Sequence, residues 1–140
     1  MSLERFCRKP LVMVGPDDTV HAAAQQMSHK HAGAVIVVDD AKRPIGLLTD
    51  RDIVTRVVAP GLDPVRIPVR EVMSEGISIA RSDDLIDEVA FRMRQKGVRR
   101  MPVVDEKGRA TGMVTLDDLL VLFSSELGQT AAVIRANRGP

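Results

Sequence analysis

Apolar positions along the chain fall into short patches whose period switches between that of a helix and that of a strand. Val20, Ala23, Ala24 and Met27 recur at helical spacing. The β-branched run Ala34–Val38, a polar turn DDAKRP and a second apolar run Ile45–Thr49 follow, which predicts a helix leading into a β-hairpin. The pattern then starts again. Ile86, Val89, Ala90 and Met93 repeat the helical spacing, and MPVVD, DEKGRA and TGMVT repeat the hairpin. Short leading strands are expected at LVMV and ISIA, and second helices from around Asp50 and Leu116. Each unit therefore reads β-α-β-β-α.

The two units align without a gap when the chain is slid by 66 residues, Asp83 against Asp17. Identical pairs include Asp18/Asp84, Ala24/Ala90, Met27/Met93, Lys30/Lys96, Val37/Val103, Asp39/Asp105, Gly46/Gly112, Thr49/Thr115 and Asp52/Asp118. The expected division is a first repeat over 3–58, a linker APGLDPVRIP over 59–68, a second repeat over 69–127 and a tail over 128–140. A unit of roughly fifty-five residues buries little surface alone. The fold class is thus α/β (α+β), with the two repeats packed through their sheets about a pseudo-two-fold axis. The acid pairs Asp17-Asp18 and Asp83-Asp84 are expected as helix caps or first-turn acids. Gly33 and Gly97 fall near the helix ends, at non-equivalent positions.

Composition narrows the functional classes. The 140 residues are 44% hydrophobic and 28% charged, with a net charge of +1, so no strong field steers the chain toward nucleic acid or an anionic membrane. There is no Trp, no Tyr and only three Phe, so the core is aliphatic and no stacking surface is on offer. A single cysteine, Cys7, excludes an internal disulfide and fits a reducing cytoplasm. No apolar run in the sequence approaches the length of a membrane span, and the first residues lack a signal peptide's apolar stretch.

The element that carries chemistry is also doubled: Gly46-Leu47-Leu48-Thr49-Asp50-Arg51-Asp52 and Gly112-Met113-Val114-Thr115-Leu116-Asp117-Asp118. A buried strand ending in Thr and entering a helix whose third residue is Asp places a hydroxyl, a carboxylate and free N–H groups together. The N–H groups and the helix dipole favour phosphate. A carboxylate there can accept both hydroxyls of a ribose. Thr-x-x-Asp is equally a capping box that needs no ligand. Its recurrence in register after Gly and two apolar residues favours a ligand, and the same residues can serve both ends.

The pattern G-h-h-T-x-x-D (h apolar), the PDDTV-type helix entry, the MPVVD strand and the tandem arrangement resemble CBS domains, specifically a stand-alone CBS pair or Bateman module. The resemblance covers about Leu3 to Leu127. It implies binding of AMP, ADP, ATP, NAD or S-adenosylmethionine as a regulatory ligand in clefts between the repeats, with no catalytic cofactor. It implies that Thr49, Asp52, Thr115 and Asp118 contact ribose and phosphate. Backbone over Val12 to Asp17 and Ile77 to Asp83, and residues near Val35, Met101 and Pro102, would read the base. The copies differ where phosphate would sit, with Arg51 against Asp117 and Arg99-Arg100 against Gly33-Ala34. Arg51, Arg99 and Arg100 are therefore expected to gather phosphates, making the two clefts unequal. The competing expectation is that these arginines pair on the surface with Asp117 or Glu106.

Other features are set aside. His29 and His31 point apart on a helix, and no Cys or carboxylate joins them or His21 at a metal-ligand spacing. Cys7 has no evident base partner, the methionines follow the core pattern, and Asp39-Asp40 and Asp105-Glu106 read as solvated turn residues. The expected function is a non-catalytic sensor of an adenosine ligand that signals to an unidentified effector protein. The alternative is a ligand-free scaffold of the same fold. A homodimer is expected through the apolar faces of helices 52–58 and 118–123.

Overall fold

The computed structural model describes Leu3 and residues 11–137. The first unit comprises β1 (Met13–Val14), α1 (Val20–Lys30), β2 (Ala34–Val38), β3 (Pro44–Thr49) and α2 (Asp50–Ile53), which continues as a π-helical turn over Val54–Val58. A 3-10 turn, Val69–Glu71, precedes the second unit. That unit comprises β4 (Ala80–Arg81), α3 (Ile86–Lys96), β5 (Arg100–Val104), β6 (Ala110–Thr115) and α4 (Leu116–Asn137). Each forms a three-stranded sheet, in the orders β1-β2-β3 and β4-β5-β6. The central strand pairs parallel with the first and antiparallel with the third. Even the irregularities match: a bulge falls at Val37/Val38 in one sheet and at Val103/Val104 in the other.

The core lies in three parts. One cluster in each repeat packs its helices on its sheet, built around Val20, Ala23, Val35 and Leu48 in the first and Val89, Met101, Val114 and Leu119 in the second. A third, of Ile36, Val38 and Ala110 with Leu47 and Met113 beside them, joins the two sheets. Beside it the Ala110 N–H donates to Lys42 O at 2.9 Å. The symmetry-equivalent donor would be the N–H of residue 44, which is proline and has none.

The ends of the repeats are exchanged. Leu3 is fully buried in the second repeat's core, while its equivalent Val69 is fully buried in the first. Val69 N donates to Asp18 O at 2.8 Å, and Ser74 and Leu47 exchange backbone bonds of 2.8 and 3.1 Å. Burial of a Leu or Val side chain stabilises by about 1.5–3 kcal/mol, so each exchanged residue fastens one repeat to the other.

Several local expectations are corrected. The cap of α1 is Thr19, which accepts from Ala22 N, rather than either aspartate. Asp18 and Asp84 instead accept the N–H of Gly15 (2.8 Å) and Arg81 (2.9 Å), closing the turns before the helices. The left-handed residue ending α3 is Gly97 (φ 64°), and its equivalent on α1 is His31 (φ 51°), not Gly33. Asp39 and Asp105 are not merely solvated. Each accepts two backbone N–H groups and an arginine Nε inside its hairpin turn. Residues 116–136, which do not stand out as an apolar run in the sequence, form one helix of membrane-spanning length with mean hydropathy 1.2, only 11% buried.

Candidate functional site

The pairing of the sheets leaves a groove of about 1040 Å³ into which both β-strand–helix junctions open. From the first repeat it is lined by Val12, Lys30, His31, Gly33, Ala34, Ile36, Leu47, Thr49, Asp50, Arg51 and Asp52. From the second come Lys96, Val98, Arg99, Arg100, Met113, Thr115, Leu116 and Asp117, and the connecting segment adds Ser74 to Ser78. The walls are aliphatic and the rim is charged.

At each junction the strand delivers the threonine to the helix N-terminus. Thr49 Oγ1 accepts the Asp52 N–H at 3.1 Å, and Asp52 Oδ2 accepts the Thr49 N–H at 3.0 Å. Thr115 and Asp118 repeat this with 3.1 Å in both directions. The capping box is therefore real in both copies. It engages each threonine oxygen only as an acceptor, so the O–H proton remains available to a ligand. The outer oxygen of Asp52 faces Arg56, with Nη2 at 3.5 Å from Oδ1. Arg56 Nη1 also donates to Val72 O (2.8 Å) and Ser74 Oγ (3.1 Å), so one guanidinium ties the motif aspartate to the connecting segment.

Across the groove, Arg100 Nη1 donates to Gly33 O at 3.2 Å, the same carbonyl that accepts the Asp50 N–H at 3.0 Å. A Cβ at residue 33 would stand 3.1 Å from Arg100 Nη2, so a side chain there would push the guanidinium aside by a few tenths of an ångström. Arg99 follows the surface-pairing expectation in part, with Nη2 3.8 Å from Asp117 Oδ1 and both side chains largely exposed. Arg51 is exposed at the rim, and among the described residues no side-chain ion pair holds it.

The structure thus brings Thr49, Arg51, Asp52, Arg99, Arg100 and Thr115 to one groove. Asp118 sits behind Thr115 in the cap rather than in the lining, and it has further partners. Met101 and Pro102 are buried, Met101 inside the second repeat's core, because alternate residues of β5 face that core. Lining residues that carried no assigned chemistry in the sequence include Lys30, Lys96, His31 and Asp50. The Lys30/Lys96 identity was their one signal. Arg56 gave none, because its equivalent is the buried Leu122.

Comparison with known proteins adds to this geometry. The CBS domain family matches residues 3–59 and again 69–125. The chain belongs to the CBS domain family. It is 32% identical over 120 residues to Uncharacterized protein MK0525 of Methanopyrus kandleri, covering 86% of this chain but only 61% of that protein's length. It is 39% identical over 106 residues to Hypoxic response protein 1 of Mycobacterium tuberculosis, covering 76% of this chain and 73% of that one. The crystal structure of Hypoxic Response Protein I, which has two coordinated zinc ions, superposes with a TM-score of 0.76 at 34% identity over 86% of this chain and 97% of that one. The CBS domain pair of protein MJ0100, in complex with 5-methylthioadenosine and S-adenosyl-L-methionine, shares the fold with a TM-score of 0.78 at 24% identity, covering 90% and 98% of the two chains. Among the described residues of this chain no group of three or more His, Cys, Asp or Glu could hold a metal ion.

Proposed function

We propose that this CBS pair is a regulatory module that binds an adenosine-containing ligand, AMP, ADP, ATP or NAD, in the groove between its repeats. The observation that carries the reading is the convergence of two Thr-capped helix N-termini with Arg51, Arg99 and Arg100 on one aliphatic-walled cavity. In this reading Asp52 accepts ribose hydroxyls while Asp118 holds Thr115 in place from behind, the threonine hydroxyls donate to phosphate, and the arginines gather the remaining phosphate charge. Ala34, Ile77 and Ser78 line the groove, and in this reading their backbone reads the base. A pair of the same fold holds adenosine ligands, which supports this use of such a groove. The role is non-catalytic and cytoplasmic. Ligand binding shifts the packing of the repeats, and a homodimer passes that shift to an effector protein.

The test uses the protein's lack of Trp and Tyr. Freshly purified protein with an absorbance maximum near 260 nm carries a nucleotide, and thermal shift against AMP, ADP, ATP and NAD ranks the ligands. No band and no shift would favour the second reading, a scaffold without a ligand. That reading has its own support in the Arg99–Asp117 pair and the completed capping boxes, which satisfy the motif without any guest. Turnover of ATP would overturn the non-catalytic assignment.

A further inference from the structure

Helix α4 is the part of the molecule that its own fold does not explain. Leu119 and Leu122 enter the second repeat's core, but beyond them residues 123–136 are exposed except for a half-buried Ala131. The family match ends at residue 125. A free helix shorter than about 12–15 residues is marginal in water. This one also carries Gly128, Thr130, Val133 and Ile134, which are weak helix formers. Such a segment is stable when something covers it.

Its surface says what. Leu116, Leu120, Phe123, Leu127, Ala131 and Ile134 succeed each other at spacings of three and four, forming one apolar stripe. Leu120, Leu127 and Ile134 are 54%, 71% and 53% exposed. Charge is sparse and divided along the axis: Asp117 and Asp118 lie at the start, Glu126 at the middle and Arg135 near the end. Asp117 and Arg135 are separated by about five whole turns, so both stand on the same flank of the stripe.

We propose that α4 pairs antiparallel with α4 of a second copy of this chain, about a two-fold axis near Leu127. Leu120 of one copy then faces Ile134 of the other, and Arg135 meets Asp117 across the flank. A parallel pair would place acid against acid at one end. A lipid bilayer would bury Glu126 in mid-helix, at a cost of about 2.5–3.5 kcal/mol on insertion scales. It would also take Leu119 and Leu122 from the core they already fill. The pairing has a consequence for the groove, and this step alone rests on the ligand reading. Arg135 of the second copy gives Asp117 a new counter-charge, which frees Arg99 from its 3.8 Å pairing to face an anionic ligand. Dimerisation and nucleotide binding then reinforce each other.

Disulfide trapping on the full chain tests the arrangement in a Cys7→Ser background. Leu120→Cys and Ile134→Cys proteins, oxidised separately and after subunit exchange, should link mainly in the mixture. Self-linked products of either protein alone would mean a parallel pair and overturn the proposal. So would a monomer in sedimentation at micromolar concentration, or flotation with phosphatidylcholine vesicles. As a second measurement, Arg135→Glu should weaken the dimer about tenfold, and adding Asp117→Arg should restore it. The trapped dimer should bind ATP several-fold more tightly than Arg135→Glu, and equal affinities would overturn the coupling. If neither binds ATP, the groove reading fails while the helix pairing stands on its cross-links.

Discussion

Arg100 of the second repeat reaches across the groove to the Gly33 carbonyl of the first, at 3.2 Å. In the alignment these residues are not equivalent: Arg100 corresponds to Ala34, and Gly33 to Arg99. The contact exists because one copy is small where the other is long. It places a cation over the Thr49 helix terminus, where the dipole also favours an anion.

Arg100→Met should therefore lower affinity for a nucleoside triphosphate by roughly ten- to a hundredfold, the worth of a charge-assisted hydrogen bond. Folding stability should change by less than about 1 kcal/mol, because the side chain is only partly buried. Gly33→Ala, whose Cβ would crowd Nη2 at 3.1 Å, should weaken binding in the same direction but less. Calorimetric titration and urea unfolding separate the two quantities. Unchanged ATP affinity in Arg100→Met would remove this residue from the phosphate role.

Thr49 and Arg51 should separate capping from binding. Thr49→Ala removes the acceptor for Asp52 N and should cost about 1 kcal/mol of stability, whereas Thr49→Ser should retain both stability and affinity. Arg51→Ala, exposed and with no side-chain ion pair among the described residues, should leave stability within about 0.5 kcal/mol and reduce only triphosphate affinity. If Arg51→Ala lowered the urea midpoint as much as Thr49→Ala, the division of labour would be wrong.

The repeat, the element order and the doubled capping motif were legible in the sequence, because each rests on local spacing. Val20-Ala23-Met27 and Ile86-Val89-Met93 are buried as the helical period requires, and the hairpins pair Val37 with Gly46 and Val103 with Gly112. What could not be read depends on partners distant in sequence. The exchange of Leu3 and Val69 between the cores is one such case. The Arg56 clamp on Asp52 and Ser74 is another, since nothing local distinguishes it from a surface arginine. The left-handed His31 was hidden because that conformation usually selects glycine, and Gly33 stood two residues away as a decoy. The face of β5 that each residue occupies also decided against a groove side chain at Met101.

Gly46 is held by packing rather than by its backbone angles. A Cβ there would lie 2.6 Å from Met73 Sδ and 3.1 Å from Ser74 O, against the backbone that bridges to Leu47. Gly46→Ala should destabilise by about 1–3 kcal/mol, the usual cost of overpacking. Met73→Ala should relieve only the side-chain part of the clash. Urea unfolding of the single and double variants checks this, and a neutral Gly46→Ala would show that the 72–76 segment gives way freely.

The hairpin aspartates should make the protein acid-sensitive. The Arg43 N–H, with its guanidinium and the Ala41 N–H, holds the Asp39 carboxyl below the usual carboxylate range. Arg109 and Lys107 do the same for Asp105. For Asp84, burial pushes upward, but the Arg81 N–H and the Arg92 guanidinium outweigh it and the net direction is again down. A carboxylate whose folded value is depressed contributes stability that is fully present above its unfolded value and is lost as pH falls through the folded one. The melting temperature should therefore be nearly flat from neutral pH to about 5 and decline below about 4. Asp39→Asn with Asp105→Asn should lower the melting temperature at neutral pH and flatten the acid slope, since the amide keeps the shape but neither titrates nor pairs with Arg43 and Arg109. An acid slope unchanged in the double variant would place the sensitivity in carboxylates outside the two turns.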